Sequence, residues 1–205
     1  MHGKGVRRSI RRRPIQRRAR QTVEAVLDAV TKILKREGPS AVTTNHIAEI
    51  AGVSIGSLYQ YFPDKRAIFI ALHERHIEQI DRLVEKTLVD CAVAPLDELM
   101  RAMIEAMVDA HTGDPELFEM MQAEVPHRAE GTRDFAERLH GAFLLAISAR
   151  KHEIKRQREL NKVAFMVTQM VDALSHGAVL KRPKWMSLAE AKEEAVRAVL
   201  VYLHG

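Results

Sequence analysis

Between Thr43 and Lys65 the chain runs Thr-Thr-Asn-His-Ile-Ala-Glu-Ile-Ala-Gly-Val-Ser-Ile-Gly-Ser-Leu-Tyr-Gln-Tyr-Phe-Pro-Asp-Lys. This order predicts two short helices joined by a tight turn. Thr44 is the expected N-cap of the first, its hydroxyl accepting from the open amides of the first turn. Ile47, Ala48, Ile50 and Ala51 supply an apolar face, and the small Ala48 permits the close approach that two steeply crossed helices need. Gly52 ends the helix, because glycine enters the left-handed conformation at little cost. Ser54 caps the second helix, Leu58 and Phe62 point inward at a spacing of four, and Pro63 stops it.

The second helix leaves Ile55, Gly56, Ser57, Tyr59, Gln60 and Tyr61 outside. That face is thin and uncharged. It suits a major groove, where amide and hydroxyl groups meet base edges and apolar groups meet thymine methyls. An ordinary helical hairpin would carry Lys and Glu there instead.

Residues from about 17 to 75 resemble the DNA-binding domain of the tetracycline-repressor (TetR) family of bacterial transcription regulators. The resemblance rests on Thr44, Ile47-Ala48, Ala51-Gly52-Val53-Ser54, Gly56-Ser57-Leu58-Tyr59, Tyr61-Phe62 and Lys65. It implies an all-α chain of about nine helices, with a homeodomain-like three-helix helix-turn-helix unit followed by a TetR-type C-terminal helical bundle. It implies DNA contacts from Thr44, Ser54, Ile55, Gly56, Ser57, Tyr59, Gln60, Tyr61, Lys65 and Arg17, with Lys65 at a phosphate-contacting position. The chain has Ile55 where the family often has a basic residue and Tyr61 where it often has His. These departures bear on the bases read and not on the mode of binding.

The chain has 205 residues, of which 46% are hydrophobic, enough for a sizeable core in one or two domains. Cys91 is the only cysteine, which excludes an intrachain disulfide and fits a reducing compartment; the resemblance implies that this is the bacterial cytoplasm. No uninterrupted apolar run approaches the roughly 18 residues of a spanning helix, so no membrane partner is expected. The formal net charge is +5, yet nine basic residues and no acid fall within residues 1–20. The remainder is mildly acidic.

Three domains are expected: a basic flexible arm over residues 1–16, a DNA-binding domain over 17–66, and a ligand-binding and dimerisation domain over 67–205. The arm lacks apolar periodicity. It admits three readings, as a targeting peptide, as a solvated tail, or as an arm along the DNA backbone or minor groove. Its spacing and lack of serines disfavour the first, and the third is preferred. A first helix over about Arg17–Glu37 carries Val23, Val26, Leu27, Val30, Ile33 and Leu34 on one face, and Gly38-Pro39 stops it. A long helix from near Asp64 to about Val89 acts as a lever. His73 and His76 on it are read as ordinary histidines, since no third metal ligand follows at helical spacing.

Further helices are expected over Pro95–His111, after Pro115, and from Gly131-Thr132 to about Ile154. The cluster Lys151, Lys155, Arg156 and Arg158 reads as a solvated turn. Val163 to Leu174 is apolar almost all round and needs cover on all sides. Ser187-Leu188-Ala189-Glu190 is a capping box opening the last helix. In the family the last two helices pair across a two-fold axis, and this chain's apolar surfaces agree with that, a buried monomeric helix being the alternative. The abundant methionines suit an adaptable pocket, although for any single one plain core packing is the better reading. The resemblance implies a ligand site in the body, to which Met103, Met107, Phe118, Met121, Gln122, Phe143, Gln169 and Met170 are assigned. Gln169, Asp172 and His176 share one stripe, and either satisfy one another inside the dimer interface or meet the ligand.

The resulting expectation is a cytoplasmic homodimeric repressor, bound to a near-palindromic duplex operator and released by a small organic effector. No phosphate loop, nucleophile motif or three-ligand metal spacing is present, so no catalytic residue, metal or cofactor is expected. A non-specific architectural or RNA-binding protein using the arm is the competing class. The uncharged reading helix favours base edges over phosphates.

Overall fold

A computed structural model describes residues 17–113, 115–124, 130–154 and 159–205. The expected arm therefore lies outside the described residues, as do Lys155, Arg156 and Arg158 of the basic cluster. Among the described residues there are nine α-helices and no strand. They are α1 (Arg17–Glu37), α2 (Thr44–Ala51), α3 (Ile55–Tyr61), α4 (Lys65–Asp90), α5 (Leu96–Thr112), α6 (Pro115–Glu124), α7 (Glu130–Ala149), α8 (Leu160–Leu180) and α9 (Leu188–His204). The chain divides into two compact units, Met1–His76 with Glu116–His127 and Ile77–Pro115 with Arg128–Gly205.

The first unit is built around α1. Val26, Val30, Ile33 and Leu34 are buried on its inner face, as the periodicity predicts. Gly38 follows at φ 80° and its amide closes onto the Leu34 carbonyl at 3.0 Å. The α2 cap differs from expectation. Thr43, not Thr44, is the N-cap, its side chain accepting from the His46 amide at 3.2 Å. Either threonine satisfies the capping rule, and the extended backbone falls one residue earlier. Ile50, expected on the apolar face, is exposed, while Ile47 and Ala48 are buried. Gly52 closes α2 in the left-handed conformation at φ 67°. Ser54 caps α3 through the Ser57 amide at 3.0 Å, and the Asp64 carboxylate accepts from the Ala67 amide at 2.8 Å to cap α4. Within this unit Arg75 of α4 reaches Glu24 at 3.1 Å and Asp28 at 2.7 Å on α1.

The second unit packs α5, α7, α8 and α9 with the later part of α4. Leu99, Met100, Met103, Ile104, Met107, Phe143, Ile147, Val167, Val171 and Val199 belong to one buried cluster. The capping box at α9 forms in both directions, Glu190 N to Ser187 Oγ at 3.2 Å and Ser187 N to Glu190 Oε2 at 2.7 Å. Arg101–Glu193, Lys192–Asp109 and His204–Asp97 join α5 to α9. Helix α8 runs Leu160–Leu180, longer than the apolar stretch that announced it. It is long and apolar enough, by length and composition, to cross a membrane. Gln169 and Asp172 interrupt its apolar run, so no uninterrupted stretch marks it in the sequence. It packs here against α5, α7 and α9.

Helix α7 stops at Ala149, short of the expected Ile154. Arg150 is the physical reason. Its guanidinium is buried and donates from Nε to the Ala94 carbonyl at 2.8 Å, and from Nη2 to those of Cys91 at 2.7 Å and Ala92 at 2.8 Å. Glu153, in the 3-10 turn Lys151–Glu153 that follows, accepts from the Leu96 amide at 2.6 Å. One short segment thereby satisfies the turn after α4 and the start of α5, whose backbone groups have no helical partner.

Two outcomes follow from these contacts. Arg150→Ala leaves three carbonyls without their charged donor and should lower unfolding free energy by about 3 kcal/mol, read by urea denaturation. Arg150→Lys cannot reproduce the planar fork and should recover under half of that loss. A wild-type midpoint in Arg150→Ala would contradict the clamp. The second outcome concerns His46. Hydrogen bonds to Glu37 and then to Glu49 raise it above its ordinary value of 6.5. A group that binds its proton more tightly when folded stabilises the fold below its unfolded value, and the contribution fades as pH rises through the raised value. The difference in melting temperature between wild type and His46→Gln should therefore be largest near pH 6 and shrink towards about pH 8. A difference that grows with pH would reverse the assignment.

Candidate nucleic-acid interface

Helix α3 spans seven residues, too few to be stable alone in water. Buried Leu58 and the buried C-cap residue Phe62 fasten its inner side. The outer side then carries what the sequence placed there: Ile55, Gly56, Tyr59 and Gln60 are exposed, and Ser57 and Tyr61 are half-buried. None is charged.

Two hydroxyl pairs organise this face. Because Thr43 does the capping, the Thr44 side chain is released to meet the Tyr59 hydroxyl at 3.2 Å. The phenol of the reading helix is thus fixed to the start of α2. Ser54 Oγ and Ser57 Oγ lie 2.8 Å apart at the start of α3. Lys65 is exposed; its Nζ is 3.4 Å from the Val42 carbonyl and 5.5 Å from the Phe69 ring centroid. The ammonium is held beside the loop that leads into α2. Arg17 opens α1, and its side chain lies outside the described residues.

Gly56 is helical, and a Cβ built on it would approach only Ser54 Oγ, at 3.9 Å. Nothing within the chain requires glycine there. The sequence does not mark out His46, which bridges α2 to α1 through Glu37 at 3.0 Å and also meets Glu49 on its own helix at 3.4 Å. Only the spacing of three to Glu49 was visible beforehand.

Five of the eight residues assigned to a ligand site have described side chains. Met103, Met107 and Phe143 are buried together in the second unit, with Met170 half-buried against them. Gln169 lies on the exposed side of α8, away from that cluster. The side chains of Phe118, Met121 and Gln122 lie outside the described residues. Asp172 and His176 do meet, at 3.6 Å. Among the described residues no group of three or more His, Cys, Asp or Glu is placed to hold a metal ion.

Comparison with known proteins agrees with this geometry. The family model described as bacterial regulatory proteins, tetR family, matches residues 26–72, and the tetracyclin repressor-like C-terminal domain matches residues 95–203, more than half of the chain. The transcriptional repressor KstR of Mycolicibacterium smegmatis is 34% identical over 67 residues, 33% of either chain. The nucleoid occlusion factor SlmA of Actinobacillus pleuropneumoniae is 38% identical over 68 residues, 33% of this chain and 32% of that one. The chain spans about a third of the length of these curated relatives. The regulator FadR of Bacillus subtilis, solved with stearoyl-CoA, shares the fold at a TM-score of 0.64 and 20% identity, over 88% of this chain and 99% of that one. With both halves of the chain matched in order and the helix-turn-helix formed as its residues require, the chain belongs to the tetR family of bacterial regulatory proteins.

Proposed function

We propose that the protein is a cytoplasmic homodimeric transcription repressor that reads a near-palindromic operator through α3 and releases it on binding a small organic ligand. The uncharged outer face of α3, held on a capped and packed scaffold, carries this reading. Gln60 and Ser57 are the groups suited to base edges, and Ile55 to a thymine methyl. Thr44, Tyr59 and Lys65 position the helix against the backbone. Residues 17–66 serve as the reading head and 67–205 as the body. The arginines of residues 1–16 add phosphate contacts, and each one steepens the salt dependence of binding.

The body supports the dimer. Phe165 and Met166 of α8 and Val201 of α9 are exposed apolar side chains, and a second copy would cover them. The KstR repressor, alike over the head, supports repression as the mode. FadR, alike in fold, holds an acyl chain as its thioester. In this chain the methionine-rich interior of the second unit is the adaptable volume for a ligand.

Selection from randomised duplexes tests the reading. The expected product is a near-palindrome with half-sites about 34 Å apart or somewhat more, bound by a species of twice the 23.2 kDa chain mass. Gln60→Ala should alter the selected bases without changing affinity for random DNA. A monomer that binds all duplexes equally would overturn it.

Gly56 gives a sharper test. A helical glycine costs roughly 0.5–1 kcal/mol relative to alanine, and the space around this one is open. Gly56→Ala should raise the melting temperature slightly yet weaken operator binding about tenfold, because its methyl group would stand between α3 and the duplex. Unchanged affinity would show that the duplex does not approach that closely.

A further inference from the structure

A polar seam lies in the interior of the second unit, between α5 and α8. His111, in the last turn of α5, is 3% exposed. Its ring stands edge-on to that of His176 on α8, with centroids 4.9 Å apart and planes at 89°. His111 Nδ1 lies 2.5 Å from the Met107 carbonyl oxygen. A carbonyl can only accept, so Nδ1 carries the hydrogen and Nε2 is the acceptor. One residue before His176, Ser175 is 0% exposed, and its hydroxyl has no hydrogen-bond partner among the described residues. Buried hydroxyls are ordinarily paired. Thr168, two turns earlier on α8, donates to the Ala164 carbonyl at 2.8 Å in the usual way. Ser175 does not, which leaves a buried donor and acceptor in the same turn as the histidine contact.

Resting on the reading that the body takes an organic ligand, we propose that His111 and Ser175 anchor an uncharged, hydroxyl-bearing ligand, a phenol or an alcohol on an apolar body, where α5 meets α8. The ligand hydroxyl donates to His111 Nε2, competing with whatever holds that nitrogen in the free protein, and Ser175 supplies the second hydrogen bond. Met103 and Met107 on α5 and Met170 on α8 are the flexible side chains that part to admit the apolar body. Burial and then the neighbouring His176 hold His111 down to about 4, so the ring is neutral in the cell. A neutral ring acceptor repels a carboxylate and welcomes an O–H. The selection is therefore for hydroxyl over carboxylate, since a site built to bond a hydroxyl penalises the analogue that lacks one.

The test uses the full-chain protein at about pH 7 with three probes of matched body: 4-hexylphenol, hexylbenzene and 4-hexylbenzoate. Calorimetry should give the phenol an advantage of at least about tenfold over both others. His111→Phe and Ser175→Ala should each reduce that advantage to under about threefold while leaving hexylbenzene unchanged. If His111→Phe fails to fold, Ser175→Ala decides, since it removes one atom and fills no new volume. Equal affinities, a preference for the benzoate, no detectable phenol binding, or an advantage that survives in the variants would each overturn the proposal. Binding of the DNA upstream of the gene is followed on the same preparation. Its absence would sink the regulator reading, whereas intact DNA binding without a phenol preference sinks only the ligand class.

Discussion

A seven-residue helix cannot hold itself in water, and the proposed reading face of this protein sits on one. What holds α3 is the burial of Leu58 and Phe62, each burial worth roughly 1.5–3 kcal/mol. Everything around them sets the angle at which they enter the core. Gly52 turns the chain, Ser54 satisfies the Ser57 amide, and Phe62 leaves the helix in an extended conformation at φ −121° before Pro63. Tyr59 is tied to the start of α2 through Thr44. Ile55, Gly56 and Gln60 face outward, and the lack of charge on them suits the proposed base-reading surface.

The second unit solves a different problem. Its helices are long enough to persist, and its difficulty is polar. Each helix end leaves backbone groups without helical partners, and several ends meet around the α4–α5 turn. Arg150 and Glu153 answer for that turn from a distance in sequence of more than fifty residues. The buried guanidinium is tolerable because its charge is spread over several carbonyl dipoles, where an unpaired one would cost several kcal/mol.

What could be read in the sequence was local. Gly52, Ser54, Ser187 and Glu190 act on groups within four residues, and each occupies its expected place. The boundary of α1 matched for the same reason, since Gly38 is a stop that needs no partner. Thr43 displaced Thr44 because two identical caps stand side by side, and backbone torsion alone chooses between them. Arg150 and His111 were illegible for the opposite reason. Nothing in the local pattern singles out either residue, and their contacts come from residues roughly 60 positions away. Gln169 lies on the exposed side of α8, and because α8 is apolar on both sides its pattern does not say which side faces the core.

The same ambiguity of α8 connects the proposed functions. Its inner stripe carries Val167, Val171 and Ser175 into the unit's core, and its outer stripe presents Phe165, Met166 and Gln169. A ligand that parts α5 from α8 therefore acts on a helix whose other face would bear the partner subunit. No separate relay is needed to make dimer geometry sensitive to the ligand, because one rigid element borders both. The energy required is modest. A tenfold change in operator affinity corresponds to about 1.4 kcal/mol of coupling, within the usual range of 1–3 kcal/mol. A single hydrogen bond gained by Ser175 on binding is of that order. Only the part of that gain that differs between the two dimer geometries can be transmitted. A hydroxyl left unpaired in one geometry and paired in the other is a group on which the two can differ.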